Sequence, residues 1–164
     1  MIQVRVAALV VDTTGQHVML LKPLLDADRA GAVVPIWIGE LEATSILVAI
    51  EDVEMPRPFA HDLMRNLLAS VDAEVERVEV TRLEEGTYFA EVTLSTPSGV
   101  RRVDARPSDA VALASRAGAS IWVAESVLEE AGVPDPTVDE ADAERSVDDF
   151  RRFLDDVDPE DFRG

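Results

Sequence analysis

The spacing of apolar residues along the chain predicts strands and helices in alternating groups. Residues 2–12 begin with strict alternation of apolar and polar side chains and continue as an apolar run, which is typical of a strand that becomes buried on both faces. The same criteria predict strands at 17–22, 33–38, 74–83, 87–95, 100–105 and 121–124, and helices at 40–52, 59–71, 107–117 and 125–131. Turn residues separate these elements.

The helix predicted at 59–71 carries its large apolar residues on one stripe. We expect that stripe to face the core, and it comprises Leu63, Met64, Leu67, Leu68 and Val71. His61 and Asp62 fall on the other side, in the first helical turn. The stripe expected for the helix at 40–52 comprises Ala43, Ile46, Leu47 and Ile50. Pro35 cannot donate to a strand ladder, so its strand should lie at an edge or begin there.

The order of elements repeats within the chain. Both halves run through three strands and then a helix, which indicates a tandem duplication without detectable sequence identity. Antiparallel hairpins whose helices return to one face predict an α+β fold, a two-layer sandwich with a mainly antiparallel sheet. The alternative is coincidence, because a hairpin followed by a helix is a common combination.

The composition changes after residue 133. We expect a domain at 1–133, an acidic, proline-containing linker at 134–145 and a C-terminal amphipathic helix and tail at 146–164. The apolar face of that helix comprises Val147, Phe150, Phe153, Leu154 and Val157. A helix this short is marginal alone, so it must dock on its own domain or on a neighbour. The sheet also has a face without helices. We therefore expect a homo-oligomer, most simply a two-fold dimer.

Composition excludes several classes of protein. The chain has no cysteine, which excludes disulfides, thiolate metal sites and a cysteine nucleophile. No apolar run reaches the roughly 18 residues of a transmembrane helix, and the N-terminus does not have the pattern of a signal peptide. We therefore expect a cytoplasmic protein without a membrane partner.

The net charge is −18, and the only lysine among 15 basic residues is Lys22. Residues from Pro134 onward supply −8 of that charge, so the rest of the chain is acidic too. Such a surface repels phosphate backbones in dilute salt. It is equally typical of halophilic adaptation, since at 1 M salt the Debye length falls to roughly 3 Å. An arginine-favouring, GC-rich genome is the alternative explanation.

Two strand-to-helix junctions carry the candidate chemistry, at residues 35–43 and 103–110. Helix N-termini offer free N–H groups to anions, and Arg106 could bind a phosphate through its planar guanidinium. Asp104 and Asp109 could hold a divalent metal through oxygen ligands. The structural alternative is that Asp109 only caps the first helical turn and interacts with the helix dipole, and that Asp104 and Arg106 form an ion pair.

Histidine is the residue suited to proton transfer near neutral pH, and the chain has only His17 and His61. His17 follows a hairpin turn, which indicates a surface strand position. His61 follows a rigid Pro-x-Pro segment and precedes Asp62, where capping or packing is the alternative role. Trp37 and Trp122 are expected in the core or an interface, because no basic groove accompanies them.

At these residues the sequence strongly resembles the bifunctional nuclease domain family. The resemblance lies in PIWIGELEA (35–43), PRPFAHDLMRNLL (56–68), EGTYFAEV (85–92) and VDARPSDAVALASRAGASIWVAESVLEEAG (103–132). It covers nearly all of 1–133 and implies a duplicated β-α-β-β type unit and cleavage of DNA and RNA. Ala60 departs from the threonine usual in the family, which removes a helix cap worth about 1 kcal/mol.

Two functions follow from these observations. The first is a nuclease assisted by Mg²⁺ or another divalent metal, with Asp104, Asp109 and Glu40 as ligands, Arg106 as phosphate clamp and His61 as proton shuttle. The second is a non-catalytic, oligomeric binding or regulatory module whose junctions bind an anion or form an interface. Convergence of the three carboxylates in the structure would favour the first.

Overall fold

The computed structural model describes residues 1–24 and 31–135. Its strands are β1 (Ile2–Val11), β2 (His17–Pro23), β3 (Ala32–Ile38), β4 (Glu74–Glu84), β5 (Thr87–Ser95), β6 (Arg101–Ala105), β7 (Ser120–Val123) and β8 (Val133–Pro134). Its helices are α1 (Glu40–Ile50), α2 (Ala60–Ala69), α3 (Pro107–Ala117) and α4 (Glu125–Ala131). Every predicted element within the described residues is present, with ends displaced by one or two residues. The short strand β8 is additional.

The strands form one sheet in the order β6-β5-β4-β7-β1-β2-β3-β8. Neighbours are antiparallel except β4 and β7, which are parallel. The predicted α+β class with a mainly antiparallel sheet is therefore confirmed. Each half contributes three consecutive strands followed by a helix, and the parallel strand β7 joins the halves.

The sheet is strongly curved. The hydroxyl of Tyr88 in β5 donates to the carbonyl of Pro35 in β3 at 3.0 Å. In a flat sheet these strands, five positions apart, would be separated by roughly 24 Å, which no side chain spans. Within residues 1–24 and 31–135, Pro35 faces no strand on its free side, because β8 pairs with Ala32 and Val33 and ends before Pro35. The predicted edge position of this proline is confirmed.

We call the face of the sheet that carries the helices the inner face. Alternate residues of the strands point to it and form a buried cluster with the helices, and Met19, Val34, Ile36, Val78 and Val80 are 0–1% exposed. The helices α1, α3 and α4 contribute buried residues to this cluster, and Leu68 of α2 packs against it. Burial of each large aliphatic side chain stabilises the fold by about 1.5–3 kcal/mol relative to exposure.

The predicted orientation of α2 was wrong. Leu63, Met64 and Leu67 are 52%, 42% and 58% exposed, whereas His61 is 6% exposed. The helix packs on α3 through polar side chains, because His61 bonds Asp109 and Asp62 bonds Arg116. Of the predicted stripe, only Leu68 packs against the buried cluster, and the remaining apolar residues lie on the surface.

Two other expectations need correction. In α1 only Ala43 and Ile46 of the predicted stripe are buried, while Leu47 and Ile50 are nearly half exposed. Pro134, predicted to begin the linker, belongs to β8. The remainder of that linker and the predicted C-terminal helix lie outside the described residues. None of the helices in residues 1–24 and 31–135 is long and apolar enough to cross a membrane.

Candidate functional site

The two strand-to-helix junctions meet because α1 and α3 pack against each other. β3 ends at Ile38 and α1 begins at Glu40, while β6 ends at Ala105 and α3 begins at Pro107. Proline suits the first helical position, where its missing N–H costs no hydrogen bond. The helix α2 then lies beside α3. Side chains from three helix N-terminal regions are thereby brought to one place.

Arg106 lies at the centre of this arrangement. It precedes α3 and its Nε donates to Asp109 Oδ2 at 2.7 Å, while its Nη2 reaches Asp109 Oδ1 at 3.2 Å. The same Nη2 donates to Glu42 Oε1 at 3.0 Å. The hydrogen bond with Asp109 is the main reason why the pKa of Arg106 is raised. Its side chain is 55% exposed, so the guanidinium remains accessible.

His61 extends this network into the protein. Its Nε2 lies 3.1 Å from Asp109 Oδ1, and its Nδ1 lies 2.9 Å from Ser45 Oγ in α1. We call Glu42, Ser45, His61, Arg106 and Asp109 the polar cluster. It joins α1, α2 and α3 through a continuous chain of hydrogen bonds, and the Ser45 and His61 members are buried.

The protonation of Asp109 determines the tautomer of His61. Burial acts to raise the pKa of Asp109, but hydrogen bonds from Arg106 and His61 outweigh it, so the pKa lies below the ordinary value. The carboxylate is therefore ionised at neutral pH and only accepts hydrogen bonds. We assign the imidazole proton to Nε2, which leaves Nδ1 to accept the hydroxyl proton of Ser45.

The polar cluster borders a cleft of about 570 Å³. The cleft is lined by Leu41, Glu42, Thr44, Ser45, Phe59, Ala60, His61, Met64, Arg106 and Asp109. A neighbouring cleft of about 560 Å³ is lined by Gly15, Gln16, His17, Trp37, Ile38, Gly39, Glu40, Glu42 and Arg106. The Arg106–Glu42 ion pair lies between the two clefts, and each cleft contains one of the two histidines.

A second ion pair holds α2 in place. Arg116 of α3 donates through Nε to Asp62 Oδ1 at 2.7 Å and through Nη1 to the carbonyl of Ala112. Asp62 also accepts the backbone N–H of Phe59 at 2.9 Å. Burial opposes these bonds, but they lower the pKa of Asp62. The N-terminus of α2, and with it His61, is thus fixed against α3.

The five predicted site residues do not all lie together in the structure. It brings Arg106, Asp109 and His61 into direct contact. Glu40 lies on the wall of the neighbouring cleft, on the far side of the Arg106–Glu42 pair. Asp104 is exposed in β6 opposite Glu91, on the face of the sheet without helices. His17 lines the neighbouring cleft from the start of β2.

The residues present do not fit the metal centre predicted from the sequence. No group of three or more histidine, aspartate or glutamate residues within the described ranges is arranged to hold an ion. Glu40, Asp104 and Asp109 do not converge, and both oxygens of Asp109 already bond Arg106, with one also bonding His61.

Sequence reasoning missed Glu42 and Ser45. Glu42 is the third residue of α1, as Asp109 is the third residue of α3, so the duplication could have indicated it. Ser45 gave no local signal, because a serine inside a helix is unremarkable. Ala60 was predicted to stand where the family has a capping threonine. It is instead the first residue of α2, and the carboxylate of Asp62 accepts the N–H of Phe59, the residue before the helix.

Fold and site define an α+β protein with a polar cleft where two similar strand-to-helix junctions meet. The family model described as "Bifunctional nuclease domain" matches residues 24–136, which is more than half of the chain. The chain belongs to this family.

Relatives of two kinds are similar to the chain. An uncharacterized protein of Mycobacterium tuberculosis is 39% identical over 166 residues and covers 98% of both sequences. "Bifunctional nuclease 2" of Arabidopsis thaliana is 31% identical over 99 residues, which are 58% of this chain and 30% of that protein. "Bifunctional nuclease 1" of Oryza sativa subsp. japonica is 24% identical over 115 residues, 68% of this chain and 34% of that protein. The plant similarity therefore concerns about a third of each plant protein.

Proposed function

We propose that the protein is a nuclease that hydrolyses phosphodiester bonds of DNA or RNA in the cleft beside the polar cluster. The observation that carries the proposal is the hydrogen-bonded chain Ser45–His61–Asp109, which opens on the same cleft as Arg106. A hydroxyl, an imidazole and a carboxylate in this order can activate a nucleophile. The family and the names of its plant relatives support phosphodiesters as the substrate class.

Arg106 has the geometry of a phosphate-binding residue. Its Nε and Nη2 bond Asp109 and Glu42, which fixes the plane of the guanidinium without burying it. Nη1 has no hydrogen bond to any residue that the structure describes, so this nitrogen can donate to a phosphate oxygen. A guanidinium that is already fixed loses little conformational freedom when it binds a substrate.

In each of the two steps of the proposed reaction, Nδ1 of His61 accepts one proton and then donates it to another oxygen. Nδ1 takes the proton of Ser45 Oγ as that oxygen forms a bond to phosphorus. The ester bond to the leaving oxygen breaks, and that oxygen receives the proton from Nδ1. The first step leaves Ser45 joined to one nucleic-acid fragment as a phosphodiester. Water then attacks this phosphorus and gives a proton to Nδ1, the bond to Ser45 Oγ breaks, and Oγ receives the proton back from Nδ1. Asp109 stabilises the imidazolium formed in each step.

The acidic surface affects the encounter with nucleic acid. A net charge of −18 repels a polyanion, and the repulsion weakens as salt shortens the Debye length. We therefore expect cleavage to be faster in molar KCl than in dilute buffer, the reverse of a nuclease that relies on a basic groove. Nucleic acid as a partner rests on this proposal.

The test is cleavage of end-labelled single-stranded DNA and RNA by the purified chain and by Ser45→Ala. The variant should lose about 10²–10⁴-fold in rate. Ser115→Ala is the matched control, because its hydroxyl donates to the carbonyl of Val111 within α3 and is not part of the polar cluster. Acid-quenched wild-type reactions should contain a nucleic-acid fragment joined through its phosphate to Ser45, detected by mass spectrometry.

Other outcomes would contradict parts of the proposal. Full activity in Ser45→Ala combined with loss of activity in His61→Gln would show that the nucleophile is a water molecule and not Ser45. Activity that disappears with EDTA and returns with Mg²⁺ would restore the metal-assisted mechanism. Unchanged cleavage in His61→Gln, at an unchanged melting temperature, would remove the polar cluster from catalysis.

A second candidate function is a non-catalytic binding module. The observation that favours it is the exposed stripe of Leu63, Met64 and Leu67 beside a cluster whose histidine is buried and bonded at both nitrogens. In that case the cluster only joins the three helices. Substitution of His61 would then lower the melting temperature, and the wild-type chain would cleave neither nucleic acid at any salt concentration.

A further inference from the structure

The face of the sheet without helices, the outer face, differs between the two halves of the molecule. In β4, β5 and β6 its residues include Arg77, Glu79, Glu91, Arg102 and Asp104, which are polar. In β1, β2, β3 and β8 the outer face is apolar. We call this region the apolar outer patch, and it comprises Ala8, Val10, Val18, Leu20, Val33, Trp37 and Val133.

The apolar outer patch is buried although no described helix covers it. Val18, Leu20 and Val33 are 0% exposed and Trp37 is 2% exposed. The buried apolar residues of the described helices belong to the cluster on the inner face, and none of these helices contributes a residue to the patch. Strand neighbours alone shield the edges of a side chain but not its end, so a single sheet face without a second layer remains exposed.

We propose that residues 146–157 form the second layer over the apolar outer patch. These residues lie outside the described part of the chain, so the inference rests on the burial of the sheet residues and on the sequence. Five large apolar side chains recur in this segment at helical spacing, namely Val147, Phe150, Phe153, Leu154 and Val157. The segment thus has the apolar stripe that the patch requires.

The end of the described chain supports this occupant. Asp135 follows β8, and its carboxylate pairs with Lys22 Nζ at 2.5 Å. Lys22 lies two residues after Leu20 in β2 and therefore points to the same, outer face, so the chain leaves the domain on the outer side of the sheet. Ten residues, 136–145, can span at most about 33–36 Å. The patch is four strands wide, roughly 15 Å between its outer strands, so residues 146–157 can reach all of it.

The other segment outside the described residues is a poorer candidate. Residues 25–30 number six and contain one large apolar side chain, Leu25. One such side chain cannot shield both Trp37 and Leu20 together with the valines around them. A second copy of the protein is the remaining alternative, and the experiment below distinguishes it from the tail.

The patch also has a connection with the neighbouring cleft. Trp37 Nε1 donates to Asp12 Oδ2 at 3.0 Å, and Asp12 accepts the N–H groups of Thr14 and Gln16 in the β1–β2 turn. A layer that holds Trp37 in place therefore also supports the turn that lines that cleft. The proposed role of the tail is independent of whether the polar cluster is catalytic.

The test uses the full chain carrying Trp122→Phe, so that Trp37 is the only tryptophan. In this background Phe150→Asp places a charge within the proposed layer. We expect tryptophan emission to shift to the red, acrylamide quenching to rise and the melting temperature to fall. Phe162→Asp is the matched control, because the same change is made in the same tail outside the stripe. Equal shielding of Trp37 in both variants would overturn the proposal.

Two further measurements cover the other outcomes. If Phe150→Asp fails to fold, a protease site inserted after Ala141 allows the folded full chain to be cut. The released fragment should stay bound at micromolar concentration, whereas a fragment that separates while Trp37 stays shielded contradicts the proposal. Light scattering identifies a second copy: an oligomer that dissociates on dilution and thereby exposes Trp37 would also overturn it.

Discussion

The two strand-to-helix junctions have the same geometry but contribute different groups. Each has an extended residue before the helix, Gly39 before α1 and Arg106 before α3, and an acid at the third helical position. Those acids, Glu42 and Asp109, both bond Arg106. Only Asp109 also contacts a histidine, His61. The second junction therefore supplies the carboxylate and the guanidinium that contact His61 and the cleft, while the helix of the first supplies the counter-charge of Glu42 and the hydroxyl of Ser45.

The difference arises from single residues rather than from the backbone. Gly39 and Arg106 have similar extended conformations, with φ near −70° in both. A Cβ atom at position 39 would collide with the carboxylate of Glu42. Glycine thus leaves room for Glu42 to fold back toward its own helix N-terminus, where a negative charge is favoured. The corresponding position in the second half instead carries the arginine that both acids bind.

The largest effect should come from comparing the two equivalent acids. Asp109→Asn removes the charge that sets the His61 tautomer and should lower the cleavage rate by about 10³-fold. Glu42→Gln leaves Arg106 bonded to Asp109 and should lower it about tenfold, the equivalent of roughly 1.4 kcal/mol. Both are measured as single-turnover rates on labelled DNA. Equal losses of cleavage rate in the two variants would contradict the view that Asp109 and Glu42 have different roles.

Arg106→Lys should have the next largest effect. An ammonium group cannot bond Asp109, Glu42 and a phosphate in one plane, so we expect kcat/KM to fall about 10- to 100-fold, mostly through KM. Arg102→Lys in β6 is the control, since that side chain is 61% exposed and lies away from the polar cluster. A fall in kcat with an unchanged KM would assign Arg106 to the chemical step instead.

Much of this fold was predictable from the sequence, and the site only in part. Apolar spacing predicted the strands and helices because burial and hydrogen bonding act locally. The orientation of α2 was not predictable from its apolar stripe, because the partners of its inward-facing polar side chains lie in α3, 48 and 54 positions away in the sequence. Ser45 was missed for the same reason: its significance depends on the imidazole that packs against it.

The helix α2 has no counterpart at the same place in the second half, and its exposed apolar residues lead us to expect a dimer. α2 follows α1, whereas β7 follows α3, and α2 exposes Leu63, Met64 and Leu67. We propose that a second copy covers this stripe in a two-fold dimer. Leu67→Asp should then halve the mass measured by light scattering at micromolar concentration. Leu41→Asp, at an 83% exposed position in α1, tests whether the interface extends to the cleft.

Acid should affect the second junction through Asp109. Its pKa in the folded protein is below the ordinary value of 3.8, so its contacts stabilise the fold above that pH. The contribution is lost as the pH falls from about 3.8 through the folded pKa. The difference in unfolding free energy between wild type and Asp109→Asn should therefore shrink as the pH is lowered from above 3.8 to below it. Urea unfolding measures it, with Ser115→Ala as the non-titrating control.

The smallest effects should come from the two acids that the sequence indicated and the polar cluster does not include. Glu40 lies beyond the Arg106–Glu42 pair, and Asp104 lies on the outer face opposite Glu91. The Glu40→Gln and Asp104→Asn variants should each cleave at a rate within about twofold of wild type. Substitutions at surface positions outside a hydrogen-bonded network change free energies by about 0.5 kcal/mol or less. The rates are measured with EDTA and with Mg²⁺. A tenfold loss in both variants, seen only with Mg²⁺, would mean that substrate and ion bring these carboxylates together, and the first junction would then be as active as the second.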